Sequence, residues 1–339
     1  MASELPRAFV LDDETKGTIP AIGLGTFQPE AAPPSIVKQA VLDALHAGYR
    51  HIDTAWMYGD GTVERAVGEA IRDWGGPRDA LFVVTKLANA HHKPEDVAPA
   101  LESSLANLGL GYDPIAYVRA GQGAVDEWGT SRHRDGKPKF DVELSIDFSS
   151  TWAAMEDLVS AGKAKHVGVS NFSALKLHRL LQGARRKPAV NQVEMHPYLP
   201  QAELLKFCRE HGIHVTAHMP LGGRPVAQVA PHKDKSGPVQ DITVCAIATK
   251  NGRTPADTLL QWAIQRGTSV VPKAYTHGHI LSNLRVLDYP ELSLEDMKAI
   301  DNLGSTEKGQ LRFMDPSGYW GFDIFDEERD YPIRDDLEG

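Results

Sequence analysis

The chain has 339 residues, with 36 Lys and Arg against 45 Asp and Glu, a formal charge of −9. That acidic balance opposes binding to nucleic acid or an anionic membrane, both of which need a basic surface. With 42% hydrophobic and 24% charged residues, the composition is that of a globular protein with a sizeable core. Two cysteines, Cys208 and Cys245, stand far apart and form no CxxC arrangement, so neither a disulfide framework nor a metal-ligand spacing is expected. The first residues, MASELPRAFV, lack the charged and apolar regions of an export signal, and no apolar run reaches a membrane span. A cytoplasmic protein without membrane contact is expected.

In chain order, Ala8–Leu11 and Thr18–Ile22 flank Asp12–Gly17 and predict a hairpin over residues 8–22. Short apolar runs then alternate with stretches of helical period. The predicted strands are Ala21–Leu24, His51–Ala55, Leu81–Lys86, Ile115–Val118, Val167–Ser170, Val190–Met195, His214–Ala217 and Ser269–Lys273. Between the first two lies a stripe of Val37, Val41, Ala44 and Leu45, capped by Ser35 and stopped by Gly48. The next stripe runs from Val63 to Trp74 and stops at Gly75-Gly76-Pro77. Trp74, Trp152 and Met155 are expected in the core. Later, Thr254-Pro255 reads as a cap with proline at the first helical position, and Ser293 with Asp296 as a capping box.

Eight βα units with no break in composition favour a single (β/α)8 TIM barrel over residues 1–339, with its long loops on the C-terminal face. The glycine pairs Gly23/Gly25, Gly109/Gly111 and Gly121/Gly123 lack the third glycine of GxGxxG, so the usual dinucleotide fingerprint is absent. Two connections are overlong, residues 121–148 after the fourth strand and 222–241 after the seventh. In a barrel both rise beside the mouth, where sites are built. With the aromatic tail Phe313–Phe325, part of the terminal segment 305–339, they are expected to wall a substrate pocket.

The second predicted strand runs into HIDTAWMYGD and the third ends in VVTKL, which puts Asp53, Tyr58 and Lys86 on one barrel face. An ammonium beside a phenol stabilises phenolate, and a carboxylate holds the ammonium in place, which makes the phenol a usable proton donor. Taken by themselves, the three residues are better described as a buried ion pair with a bystander tyrosine.

They stand among further motifs. GLGTF at 23–27, HIDTAWMYGD at 51–60, TKLANAHHKPEDV at 85–97, GKAKHVGVSNFS at 162–173, NQVEMHPYLPQ at 191–201 and VVPKA at 270–274 together resemble the aldo-keto reductases, in order and over essentially the whole chain. The long loop and the WGFDIF tail look most like fungal members. The resemblance implies a (β/α)8 barrel that binds NADPH without a Rossmann fold and reduces aldehydes and ketones with an Asp, Tyr, Lys and His tetrad. Asp53, Tyr58 and Lys86 match three members of it. Ser170, Asn171 and Gln192 match the side chains that hold the nicotinamide carboxamide; Gly25, Thr26 and Leu221 fall among the cofactor contacts. Lys273 and Asn283 match residues near the adenosine, with Lys273 placed for the 2′-phosphate. Phe27, Trp56, Met57, Ala120 and Trp128 fall on the substrate side.

The chain also departs from the family. Where the resemblance implies a strand ending in His-Trp-Pro, GYDPIAYVRAGQG puts Arg119 at the tetrad histidine and Ala120 at the tryptophan. The nicotinamide-stacking tyrosine is replaced in TAHMPLG by His218, followed by Met219. Near the adenosine, Ala274, His279 and Ser282 replace Ser, Arg and Glu. Losing the arginine removes a charge-assisted contact to phosphate worth roughly 1.5–3 kcal/mol, so NADPH is expected to bind more weakly than in relatives. An Arg119 that projects beside Lys86 would favour phenolate at Tyr58 and offer charge to an enolate or carboxylate; one that turns outward would pair with Asp126 or Glu127.

The remaining signals are weak. His91-His92, Arg185-Arg186-Lys187 and Cys208 read as a helix-start pair, a solvated loop and core, and no spacing supports a metal. The expected function is NADPH-dependent reduction of a carbonyl, or an activated double bond, of a small organic molecule such as a natural-product intermediate, by a monomer or weak homodimer. A redox-neutral isomerase, dehydratase or cyclase on this fold, and a non-catalytic binding protein, are the alternatives.

Overall fold

The computed structural model describes residues 4–27, 32–111, 113–119 as backbone, 141, 143–144, 147–223, 229–232, 234–304, 310–317 and 325. Strands β1 (Ala8–Val10) and β2 (Thr18–Pro20) form the expected antiparallel hairpin, with Phe9 opposite Ile19. Eight parallel strands follow in chain order: β3 (Leu24–Gly25), β4 (His51–Asp53), β5 (Phe82–Lys86), β6 (Asp113–Arg119), β7 (Ala164–Ser170), β8 (Val190–Glu194), β9 (His214–His218) and β10 (Ser269–Val270). The first and last meet. Gly23 N–H donates to Val270 O at 2.8 Å, Gly25 N–H to Pro272 O at 3.1 Å, and Val270 N–H to Ala21 O at 2.9 Å. These bonds close the (β/α)8 barrel.

The seam explains the first glycine pair. A Cβ at Gly25 would stand 2.7 Å from Val271 O, and one at Gly23 would stand 2.6 Å from the His51 ring. Neither gap admits a side chain.

Helices cover the barrel: α1 (Pro34–Ala47), α2 (Thr62–Trp74), α3 (Pro94–Leu108), α4 (Ser149–Ser160), α5 (Ala174–Gly183), α6 (Ala202–Glu210), α7 (Ile242–Lys250), α8 (Pro255–Gln265), α9 (His277–Arg285) and α10 (Leu294–Asp301). Gly48 and Gly75 end α1 and α2 in left-handed conformations, φ 110° and 67°, as expected. Thr254 caps α8 in a full capping box with Asp257. Two caps differ from expectation. Helix α1 begins after Pro33, not Ser35, because Pro34 already carries helical φ and has no N–H to satisfy. At α10, Ser293 accepts from Asp296 N–H at 3.1 Å, but the Asp296 carboxylate turns to Lys250 at 2.9 Å, so only half a box forms.

Trp152 and Met155 are buried in the core as expected, whereas Trp74 is half-buried under the Arg50 guanidinium, 4.9 Å away. Cys208 is fully buried, which pushes its thiol up to about 12 and fits the core reading. The basic triplet lies in a solvent-facing loop, as expected, but each of its side chains is paired. Arg185 Nε donates to the buried Glu156 at 2.6 Å, Arg186 pairs with Glu14, and Lys187 Nζ donates to Asp12 at 2.9 Å. Acidic partners on α4 and in the turn of the hairpin supply what a triplet read in isolation could not show. Arg186 and Lys187 thus tie the hairpin turn to the barrel, and Arg185 ties the loop to α4.

Two histidines stand at the N-terminal ends of β4 and β9, His51 fully buried and His214 half-buried. His51 packs on Phe82 with ring centroids 5.0 Å apart, and His214 Nε2 is 3.0 Å from Ser269 Oγ. Burial holds His51 down to about 4 and His214 down to about 3 from the ordinary 6.5. Both stay neutral in the fold while the unfolded chain protonates, so stability is intact above pH 6.5 and falls as the pH drops below it. Between pH 6.5 and 5 each costs about 2 kcal/mol, at 1.36 kcal/mol per pH unit. His51→Leu is therefore expected to lose about 2 kcal/mol less than wild type over that range in urea denaturation. An equal loss in both proteins would exclude His51 as a source of acid sensitivity.

Candidate active site

Asp53 ends β4 and Lys86 ends β5, and Thr54 N–H donates to Val84 O at 2.8 Å, extending the ladder between the two strands. Alternation along β5 sends Thr85 outward to the buried Glu64, 2.6 Å away, and Lys86 to the other face. The turn after β4 brings Tyr58 back over that face, with Tyr58 N–H on Ala55 O at 3.1 Å and Gly61 N–H on Trp56 O at 2.7 Å. Lys86 Nζ then has three acceptors: Asp53 Oδ1 at 2.7 Å, Thr54 O at 2.9 Å and Tyr58 Oη at 3.3 Å. An ammonium has three protons, and each finds a partner.

The ion pair is almost fully enclosed, with Lys86 and Asp53 side chains each 5% exposed. Burial, the largest single influence, would lower the Lys86 pKa, but the Asp53 carboxylate and the Tyr58 hydroxyl together outweigh it and the net shift is upward. Lys86 therefore stays charged beside the phenol. Phe27 and Met57, both exposed, and half-buried Trp56 lie around Tyr58: the Phe27 and Tyr58 ring centroids are 5.1 Å apart, and Trp56 meets His91 edge-on. Trp128 and Ala120 lie outside the described residues.

Ser170, Asn171 and Gln192 cluster at the ends of β7 and β8, all at most 3% exposed. Gln192 Nε2 donates to Asp53 Oδ2 at 2.7 Å, which joins this cluster to the tyrosine and lysine across the barrel. Ser170 Oγ donates to Gln192 O at 3.0 Å. Asn171 sits at φ 62°, a left-handed conformation that strains a non-glycine residue, with its Oδ1 3.0 Å from His218 Nε2. Arg119 is in register with Ser170, so its backbone stands at the same level of the mouth.

Other expected positions surround these groups. Thr26 is buried, its hydroxyl donating to Asp53 O at 2.9 Å, beside Gly25 in the seam; Leu221 is half-buried just past β9. On the outer side, Lys273 is exposed with its ammonium 4.9 Å above the Tyr275 ring. Ala274 and Asn283 are buried. His279 is exposed in the first turn of α9, and Ser282 donates to Asp257 at 3.2 Å.

Sequence reasoning missed Glu194. It is fully buried at the end of β8, and its carboxylate accepts from His196 Nε2 at 2.9 Å and from Phe313 N–H at 2.6 Å. The NQVE motif contains it, but its two backbone partners lie 119 and 120 residues away in the tail, beyond the reach of any local pattern. Among the described residues, no three His, Cys, Asp or Glu side chains gather as a metal site, and no helix is long and apolar enough to cross a membrane.

The chain matches known proteins over most of its length. The model of the aldo/keto reductase family matches residues 21–305. The chain is 41% identical to aldo-keto reductase family 1 member A1-A of Danio rerio over 297 residues, 86% of this chain and 88% of the relative. It is 39% identical to the glycerol 2-dehydrogenase (NADP(+)) of Saccharomyces cerevisiae over 332 residues, 93% and 96% of the two chains. Human aldo-keto reductase family 1 member A1 is 40% identical over 292 residues, 84% of this chain and 86% of the relative. With its barrel, its tyrosine, lysine and aspartate at the mouth, and a match over most of its length, the chain belongs to the aldo/keto reductase family.

Proposed function

We propose that this protein is an NADPH-dependent oxidoreductase that reduces a carbonyl, or an activated double bond, of a small organic molecule such as a natural-product intermediate. The observation that carries the proposal is the contact of Tyr58 Oη with Lys86 Nζ at 3.3 Å, the lysine itself held by Asp53 at 2.7 Å. That arrangement supports a role for Tyr58 as proton donor.

The residues at the mouth fit a nicotinamide dinucleotide. Ser170, Asn171 and Gln192 form a buried row of one hydroxyl and two amides, linked through Asp53 to the lysine that meets Tyr58 and suited to a carboxamide, and Asn171 pays backbone strain to stand in it. The exposed Lys273 offers charge to a phosphate at the outer end. When bound, the cofactor supplies hydride to the acceptor carbon. The chain's own residues do the rest. Tyr58 delivers a proton to the acceptor oxygen, Lys86 stabilises the phenolate left behind, and Asp53 with Gln192 keeps the lysine in place. Phe27, Trp56 and Met57 offer an apolar wall to the substrate. The family resemblance puts Arg119 at the position of the fourth tetrad residue, and a cation there would favour substrates that carry or develop negative charge.

Titration with NADPH and with NADH, followed by quenching of tryptophan fluorescence, tests cofactor binding, and loss of nicotinamide absorbance on adding a panel of carbonyl compounds tests turnover. Binding of NADPH with carbonyl-dependent oxidation is the expected result. Turnover of a substrate without any dinucleotide would instead mark a redox-neutral enzyme, and neither binding nor turnover would mark a binding protein.

A further inference from the structure

Residues two apart on a strand share a face, so Gln192 and Glu194 follow each other along β8 toward the mouth. Gln192 donates to Asp53. Glu194 receives the tail: Phe313 N–H donates to one carboxylate oxygen at 2.6 Å and Met314 N–H to the other at 2.9 Å. A carboxylate that accepts two successive backbone N–H groups holds that backbone in one position and orientation. The neighbouring bonds extend the attachment, with Leu311 N–H on Tyr198 O and Asp315 N–H on Val229 O, both at 2.8 Å. Tyr198 and Val229 follow β8 and β9, so the tail spans connections that rise from the barrel mouth.

A carboxylate buried at 0% exposure needs such partners, because leaving it unpaired is costly. His196 supplies one more, and its ring packs 5.2 Å from that of Phe313. The same anion thus organises both the histidine beneath the tail and the tail backbone above it. On the neighbouring strand, Glu194 is in register with His218, which is 3.0 Å from Asn171.

We infer that Glu194 is a positioning residue: by fixing residues 311–315 against the ends of β8 and β9 it holds one wall of the substrate pocket, and so governs substrate affinity without touching substrate. This rests on the oxidoreductase reading above. Glu194→Gln exchanges an anion that accepts from both N–H groups for an amide with a single acceptor oxygen. Met314→Pro removes one of the two N–H donors and leaves β8 intact.

The test uses the full chain with NADPH. Each variant is expected to raise KM for the carbonyl substrate about tenfold, with kcat within about twofold and NADPH quenching unchanged, as for one lost charge-assisted hydrogen bond. The double variant should raise KM no further than the larger single one, since both break the same attachment. Hydrogen exchange should increase in the peptide over residues 311–317 while β8 and β9 keep their protection. Additive KM effects, a kcat loss at unchanged KM, or exchange spreading through β8 would overturn the inference. If Glu194→Gln does not fold, Met314→Pro alone decides, through its KM and its exchange. Failure of the wild type to bind NADPH would count against the oxidoreductase reading, whereas the exchange measurement would still report on the attachment of the tail.

Discussion

Tyr58→Phe deletes one oxygen and is expected to lower kcat roughly 100- to 10,000-fold, the range for removing a general acid. NADPH binding should be unchanged, because Ser170, Asn171 and Gln192 bond to Gln192 O, His218 and Asp53 rather than to the phenol, and the Phe27 ring contact survives the substitution. Stability should change little. The phenol is half-buried, and the Lys86 ammonium keeps Asp53 Oδ1 and Thr54 O as acceptors after the hydroxyl is gone. Stopped-flow measurement of nicotinamide oxidation separates this loss from slow product release. A variant with wild-type kcat would remove Tyr58 from the chemistry and leave it a bystander over an ion pair.

Much of this site was legible before any coordinates, and the reason is local. Asp53, Tyr58 and Lys86 each end, or shortly follow, a short apolar strand, and parallel strands in a barrel deliver such residues to the same end. Periodicity likewise located the eight strands, because a strand covered on both faces leaves a continuous apolar run. What escaped depended on partners far along the chain. Arg185, Arg186 and Lys187 look like solvated charges until Glu156, Glu14 and Asp12 are seen opposite them. Gln192 was expected to face a cofactor, and its bond to Asp53, 139 residues away, could not be inferred from a strand motif. Glu194 was passed over within a motif that had been quoted: His196 stands two residues on in that motif, but the two backbone N–H groups that tie the carboxylate to the tail leave no complementary charge in the sequence. The cap of α1 was misplaced for a different reason: a Pro-Pro pair starts a helix by fixing φ, with no polar side chain to mark it.

Lys86→Met is expected to affect both fold and chemistry, and a second substitution separates the two. Removing the ammonium leaves the Asp53 carboxylate enclosed at 5% exposure with Gln192 as its remaining side-chain partner, and an uncompensated buried charge costs about 3–5 kcal/mol. Adding Asp53→Asn removes that charge, while its amide oxygen still accepts from Gln192. The Lys86→Met/Asp53→Asn protein should therefore recover most of the stability lost in the single variant, measured as the urea midpoint at constant m-value. Its activity should stay at least about 100-fold below wild type, because the phenolate formed at Tyr58 would have no cation beside it. Recovery of turnover together with stability would mean that the lysine and aspartate only hold the barrel together. A stable and inactive double variant would place the lysine's charge, rather than its packing, at the centre of the reaction.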